Sequence, residues 1–223
     1  MKKYAVLISA FLSCISCKKN QAENVIPPTS KILLDSSATN KSISSTGIST
    51  YDSEIIAIEN ILINGNKIIL PIEEFNSIFT KIDSTKTELW ECGSPFEWLD
   101  EQWMTATYGK QNEEAGTFEN FNGEITTLYS KNIEHNTNNH IVLFNKALAE
   151  NNTFEIISHK IKLNKNTTLE NFKKQFPNCE IEKLENPKES RIRFSVENKL
   201  DDAFLFYFKD GKLNYLTLWW LLC

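Results

Sequence analysis

The sequence predicts an α+β fold in which two tandem strand-helix-antiparallel-sheet units form one compact body after a disordered linker. Three observations carry that prediction. A short apolar strand leading into an amphipathic helix occurs twice, strand-like patterns follow each helix, and a Ser-, Thr- and Asn-rich stretch precedes both copies. The boundaries are residues 1–16 for a signal segment, 17–53 for an anchor and linker, 54–157 for a first unit with a helical insertion, and 158–223 for a second.

At the start of the chain, Lys2 and Lys3 precede an apolar run from Tyr4 to Leu12 that is too short to span a bilayer, and small Ser16 stands just before Cys17. This layout resembles a bacterial lipoprotein precursor. The resemblance implies that diacylglycerol is added to the Cys17 thiol, that the chain is cut before it, and that the new amine is acylated, with palmitate the expected type of chain. Leu is preferred three residues before the lipidated cysteine, and Cys14 stands there instead. Cys14, preceded by Leu12 and Ser13, is the rival site; the hydrophilic Lys18, Lys19 and Asn20 mark Cys17 as the end of the signal. A plain secretory signal would need a small-x-small cleavage site, and none follows. Lys18 in place of Asp implies the outer membrane in this class. The lack of an acidic cluster over Lys18 to Gln21 points to its periplasmic face.

From residue 18 to about residue 53, polar residues and Pro27 and Pro28 dominate and no aromatic occurs before Tyr51. Such a segment buries too little apolar surface to offset its ordering entropy, which makes it a tether. About 170 residues remain for the folded part. The chain has 24 Lys and Arg against 29 Asp and Glu; losing Lys2 and Lys3 leaves 22 against 29. Mild acidity gives no electrostatic reason for a nucleic-acid partner.

Each unit opens on a repeat. Lys67 to Leu70 runs into Pro71-Ile-Glu-Glu-Phe-Asn-Ser-Ile-Phe79, and Lys160 to Leu163 leads into Thr168-Leu-Glu-Asn-Phe-Lys-Lys-Gln-Phe176. At an offset of 97, Ile72 matches Leu169, Phe75 matches Phe172 and Phe79 matches Phe176, each set on one helical face. Pro71 suits a first helical position, Thr167 with Glu170 reads as a capping box, and Pro177 is a stop. These aromatics read as core. Ser94 and Glu97 suggest a further capped helix, an insertion with Phe96, Leu99 and Trp103 on one face.

Strand patterns follow. The first unit has an Asn122-Gly123 turn, then Ile125 to Tyr129, His140 to Phe144 and Phe154 to Ile157. In the second, Arg191 to Val196 alternates, Ala203 to Phe208 is apolar, and Asp210-Gly211 turns into Lys212 to Leu222. With Asp210 and Gly211 as the whole loop, Phe208 pairs with Leu213 and Phe206 with Tyr215. Phe206, Tyr215 and Trp219 then share one face, and Tyr207 and Trp220 the other. Two apolar faces with one helix per unit leave two readings: the second face packs on the linker, the insertion or the other unit, or it is a binding surface made of Tyr215, Trp219, Phe206, Tyr207 and Trp220.

Tandem helix-plus-sheet units opened by a segment like Asn166 to Pro177 resemble the β-lactamase inhibitor protein and the small lipoprotein of the outer-membrane barrel-assembly machinery, over about residues 60 to 222. The resemblance implies binding of a protein through a sheet face, without catalysis. No functional residue of either family maps onto this chain. We therefore expect a non-enzymatic, lipid-anchored envelope protein, attached to the membrane through its lipid and holding a protein partner as an assembly factor or as an inhibitor or immunity protein.

The other class of function is a hydrolase of cell-wall polymer acting through Cys92, paired with His135, His140 or His159, or through the carboxylates Glu97, Asp100 and Glu101. No cysteine-protease signature surrounds Cys92, and solvated helix carboxylates are common. Three dispersed histidines suggest no metal, and the absence of Walker or dinucleotide glycine patterns suggests no cofactor. With Cys17 acylated, Cys179 and Cys223 fall in the same unit and are the expected disulfide, leaving Cys92 free.

Overall fold

The computed structural model describes residues 51, 54–112, 116–196 and 199–222, all within the unit Thr46–Cys223. The expected signal, the lipidation site Cys17 and its rival Cys14, and nearly all of the expected linker lie outside the described residues, as does Cys223. Tyr51, inside the stretch read as linker, belongs to the folded body. Its amide bonds to Gln175 O and its hydroxyl to His159 O, and its ring lies beside Phe176.

Among the described residues, a 3-10 turn at Ile58–Asn60 leads into three short strands, β1 (Ile61–Ile63), β2 (Asn66–Lys67) and β3 (Ile69–Pro71), and helix α1 (Ile72–Ile78) follows. The chain then forms β4 (Ser84–Leu89), the inserted helices α2 (Phe96–Leu99) and α3 (Glu101–Tyr108), and a small ribbon of β5 (Gln111–Asn112) and β6 (Thr117–Phe118). A meander follows through β7 (Glu124–Ser130), β8 (Ile133–Thr137) and β9 (Ile141–Leu148). After β10 (Phe154–Ile156) and β11 (Ile161–Leu163) come α4 (Leu169–Gln175), β12 (Glu182–Lys183), β13 (Glu189–Val196), β14 (Lys199–Lys209) and β15 (Lys212–Trp219). Mixed helices and antiparallel sheets make this an α+β fold.

The large sheet runs β12-β13-β14-β15-β9-β8-β7-β4, so two four-stranded meanders meet through their last strands; β3 pairs with the far end of β9. The junction is three residue pairs long, Tyr215 to Leu148, Leu216 to Ala147 and Thr217 to Lys146. A second sheet, β11-β10-β1-β2, turns Ile61, Ile63, Phe154, Ile156, Ile161 and Leu163 into the core.

The repeated helices keep their offset of 97: both are seven residues long and close with Phe79 N–H on Phe75 O and Phe176 N–H on Phe172 O. Their caps differ from the expectation. Pro71 is the residue before the first helical one, and the hydroxyl that caps α4 is that of Thr168, which accepts from Asn171 N–H at 3.1 Å. Thr167 instead accepts from Asn164 N–H. Extended Thr168 (ψ 150°) aims its oxygen at the first helical turn, as a cap requires. The inserted helix breaks in two at Asp100 (φ −137°, ψ 31°).

Phe172 and Phe176 pack on Phe194, Phe206 and Phe208 of the second meander, with ring centroids 4.8 to 5.9 Å apart. Each buried phenylalanine contributes about 1.5–3 kcal/mol by leaving water. On the first meander Phe75 packs with Leu70 and Val142. On the face away from α1, the insertion lays Phe96, Met104, Phe118 and Phe121 against Ile125 and Leu143. The stretch of face that remains is the one spanning β12 to β8.

Candidate functional site

The hairpin turn is the expected one, with Asp210 (φ 49°) and Gly211 (φ 73°) both left-handed and Lys209 opposite Lys212. Phe208 pairs with Leu213 as predicted, but the register slips immediately beyond it. Tyr207 stands opposite Tyr215 and Phe206 opposite Leu216, because Asn214 is an extra residue in β15. A one-residue slip exchanges the two faces. Phe206 is therefore fully buried beneath α4, which removes it from the expected binding surface, while Tyr215 and Tyr207 share the opposite face.

On that face a line of side chains crosses six strands. Glu182 of β12 pairs with Arg191 of β13 (Nε to Oε2, 2.8 Å), and Arg191 donates to the Tyr207 hydroxyl of β14 at 3.3 Å. Tyr207 stacks on Tyr215 of β15, with centroids 4.2 Å apart and planes 17° apart. Lys146 of β9 sits over the Tyr215 ring at 4.9 Å and faces Glu134 of β8 at 3.7 Å. The neighbouring row puts Arg193 over the ring of Trp219 at 5.2 Å. Burial, with Tyr207 beside it, pushes the Tyr215 hydroxyl up to about 12, so it stays a neutral hydrogen-bond donor.

The members of this row are half-buried, and Trp219 keeps 38 % of its surface exposed. Trp220 is half-buried and meets the exposed Trp98 of the insertion edge to face at 5.7 Å. Asp202, buried, accepts from Leu221 N–H and ties this end of the chain to β14. Of the five expected binding residues, Tyr207 and Tyr215 stack on each other, Trp219 lies in the neighbouring row, Trp220 packs on Trp98 instead, and Phe206 is core. The structure adds Glu182, Arg191, Arg193, Lys146 and Glu134. The strict alternation of Arg191 and Arg193 with Ile192 and Phe194 was the signal that could have found the two arginines.

Most of the residues considered for hydrolysis are engaged in structural contacts, while Glu101 is exposed at the start of α3. Cys92 is disulfide-bonded and Cys179 is a free, buried thiol, which reverses the expected assignment: Cys179 does not pair with Cys223. Cys179 lies in the core and packs there as a small apolar side chain, its thiol raised in pKa first by burial. A cysteine held in a disulfide is no nucleophile. Glu97 is buried, and its Oε1 accepts from Ser94 N–H at 3.0 Å and the Thr117 hydroxyl at 3.2 Å; burial raises its pKa. The Ser94 hydroxyl has no partner, so only one arm of the expected capping box forms. Asp100 holds His140 Nδ1 at 2.8 Å and Asn138 Nδ2 at 2.8 Å, and His140 stacks flat on Trp103. This dyad fastens the insertion to the β8–β9 turn. His135 is enclosed by Phe75 and Phe79, and no group of three or more His, Cys, Asp or Glu among the described residues is placed to hold a metal.

No protein-family model, curated protein or solved structure matches this chain. Among the described residues, no helix is long and apolar enough to cross a membrane.

Proposed function

We propose that this chain is a lipid-anchored protein of the bacterial cell envelope, tethered at Cys17 to the outer membrane on its periplasmic side, and that its folded body binds a protein partner without catalysis. The observation that carries the reading is the half-buried row Glu182, Arg191, Tyr207, Tyr215, Lys146, Glu134 on the sheet face turned away from α4. Tyr, Trp and Arg are the residues that most often supply binding energy at protein interfaces, and stacking with ion pairing holds these in place before a partner arrives. Each cation in the row has an anion or a ring beside it. Such balance suits a protein surface of mixed charge better than a polyanion.

The tandem reading belongs to the same proposal. Each of the two matched helices is followed by a four-stranded meander, and the two meanders abut through their last strands, so the row runs over the junction of the two units. An assembly factor and an inhibitor or immunity protein are the two roles such a face serves.

The test is a crosslinking capture from native envelopes with the full-length chain as bait, beside an Arg191→Ala, Tyr215→Ala variant checked to be folded. A partner recovered near stoichiometry by the native chain and lost in the variant supports the reading. Equal recovery by both removes the row from the interface.

A further inference from the structure

Among the described residues the large sheet ends at β4, whose six residues Ser84 to Leu89 are all exposed and pair only with β7. Trp90 N–H bonds to Gly123 O, its direct partner in the continuing register, so Glu88, Lys86 and Ser84 also turn their amides toward β7. Thr85, Thr87 and Leu89 therefore point their N–H and C=O groups away from the sheet. Those groups make no hydrogen bond among the described residues. A bare, regular edge of this kind is a template for another strand.

Its side chains state which strand. Lys86 and Glu88 project from one face and pair with each other at 2.6 Å. A lone edge lysine deters pairing, but here its complement stands two residues away. In an antiparallel pair with a twofold axis at Thr87, position 86 lies opposite position 88 of the partner. Both Lys86 residues then meet a Glu88, and Thr85 meets Leu89. In the same register Thr87 faces Thr87 as a hydrogen-bonded pair, which uses the outward amides. The pattern Ser-Thr-Lys-Thr-Glu-Leu is thus self-complementary, as an isologous contact requires.

We propose that β4 is a dimerisation edge: two copies of this chain pair β4 to β4, antiparallel about Thr87, and continue the large sheet from one copy into the other. A six-residue strand pair buries little area, so the association is weak in dilute solution. Confining both copies to one membrane raises their effective concentration.

Sedimentation of the full chain over a concentration series tests this through charge reversal. Lys86→Glu sets four acids across the axis and Glu88→Lys four bases, so each single variant should dimerise at least about tenfold more weakly than the native chain. Mixing the two single variants, or combining both changes in one chain, restores the opposite-sign pairs and should restore dimers. A Thr87→Cys variant should form an intermolecular disulfide under mild oxidation, its α-carbons lying within disulfide range of the partner's. A native chain that stays monomeric at every concentration and leaves the Thr87→Cys variant uncrosslinked overturns the proposal, leaving the edge to a strand of a different protein. A dimer indifferent to both single reversals and to their mixing overturns it as well.

Discussion

Tyr215 stacks on Tyr207 at 4.2 Å, and this contact exists because Asn214 adds one residue to β15 just beyond the turn. Without the bulge, Tyr215 would lie opposite Phe206 and point under α4. The extra residue thus decides which aromatics are core and which are surface, and it couples a turn-proximal irregularity to the composition of the candidate interface.

That relationship makes the first prediction. Phe206→Ala should cost about 3–5 kcal/mol, as for a large aromatic lost from a packed core, whereas Tyr215→Ala should cost about 1 kcal/mol, the loss of a cross-strand pair. Urea denaturation of both variants measures the difference. Equal costs would mean that the two residues share a face and that the bulge is not where the fold puts it.

His135 supplies a pH dependence. Buried between Phe75 and Phe79, with Nδ1 unpartnered, it is held near a pKa of about 4 by desolvation, against 6.5 for a free histidine. Because the folded value lies below the unfolded one, the unfolded chain takes up the proton first as pH falls. Stability is therefore fully present above about pH 6.5 and declines toward pH 4, by about 3 kcal/mol in all. His135→Leu should flatten this part of the profile; native and variant chains compared by urea unfolding between pH 7.5 and 4.5 report it. Identical slopes would refute the assignment.

What could be read from the residues alone, and what could not, follows from where the information lies. The helices at 72–78 and 169–175 were legible because apolar spacing is local, although the caps expected at Pro71 and Thr167 fell one residue off. β4 was not, since Ser84 to Leu89 is polar on both faces and looks like a loop. β8 reads as an Asn-rich loop for a related reason: Asn136 is buried but satisfied by the Thr127 hydroxyl at 3.0 Å from a neighbouring strand, a contact no local pattern announces. The aromatic surface was half legible. Its residues lay on the last hairpin as expected, but a bulge has no sequence signature as plain as Asp210-Gly211, and the partners Glu182, Lys146 and Glu134 arrive from strands far apart in the chain.

The cysteines give a third prediction. Breaking the Cys92 disulfide by Cys92→Ser should lower stability by about 2–4 kcal/mol, the usual contribution of such a bond. Cys179→Ala removes one buried sulfur and should cost no more than about 1–2 kcal/mol. Iodoacetamide should label Cys179 only in the unfolded chain, since burial both shields the thiol and raises its pKa. Mass spectrometry of native and denatured samples decides this, and rapid labelling of the native chain at Cys179 would contradict it.

Glu97 carries the last. Its carboxylate closes over the turn at Gly93, where a Cβ would come within 3.0 Å of Oε1, and the left-handed φ of 79° there already disfavours any other residue. What the site needs from Glu97 is an acceptor oxygen for Ser94 N–H and the Thr117 hydroxyl, while burial works against its charge. Glu97→Gln keeps the acceptor and discards the charge, so at pH 7 it should leave stability unchanged or raise it. Glu97→Ala strands a buried amide and should cost about 1–3 kcal/mol. Because burial makes the folded carboxyl take up its proton at higher pH than the unfolded one does, the glutamine variant's advantage should shrink as pH falls from neutrality into the acid range. Thermal melts of the three chains across that range measure it. A Glu97→Gln variant as damaged as Glu97→Ala at pH 7 would show that the negative charge itself is required, and would reopen a chemical role for this carboxylate.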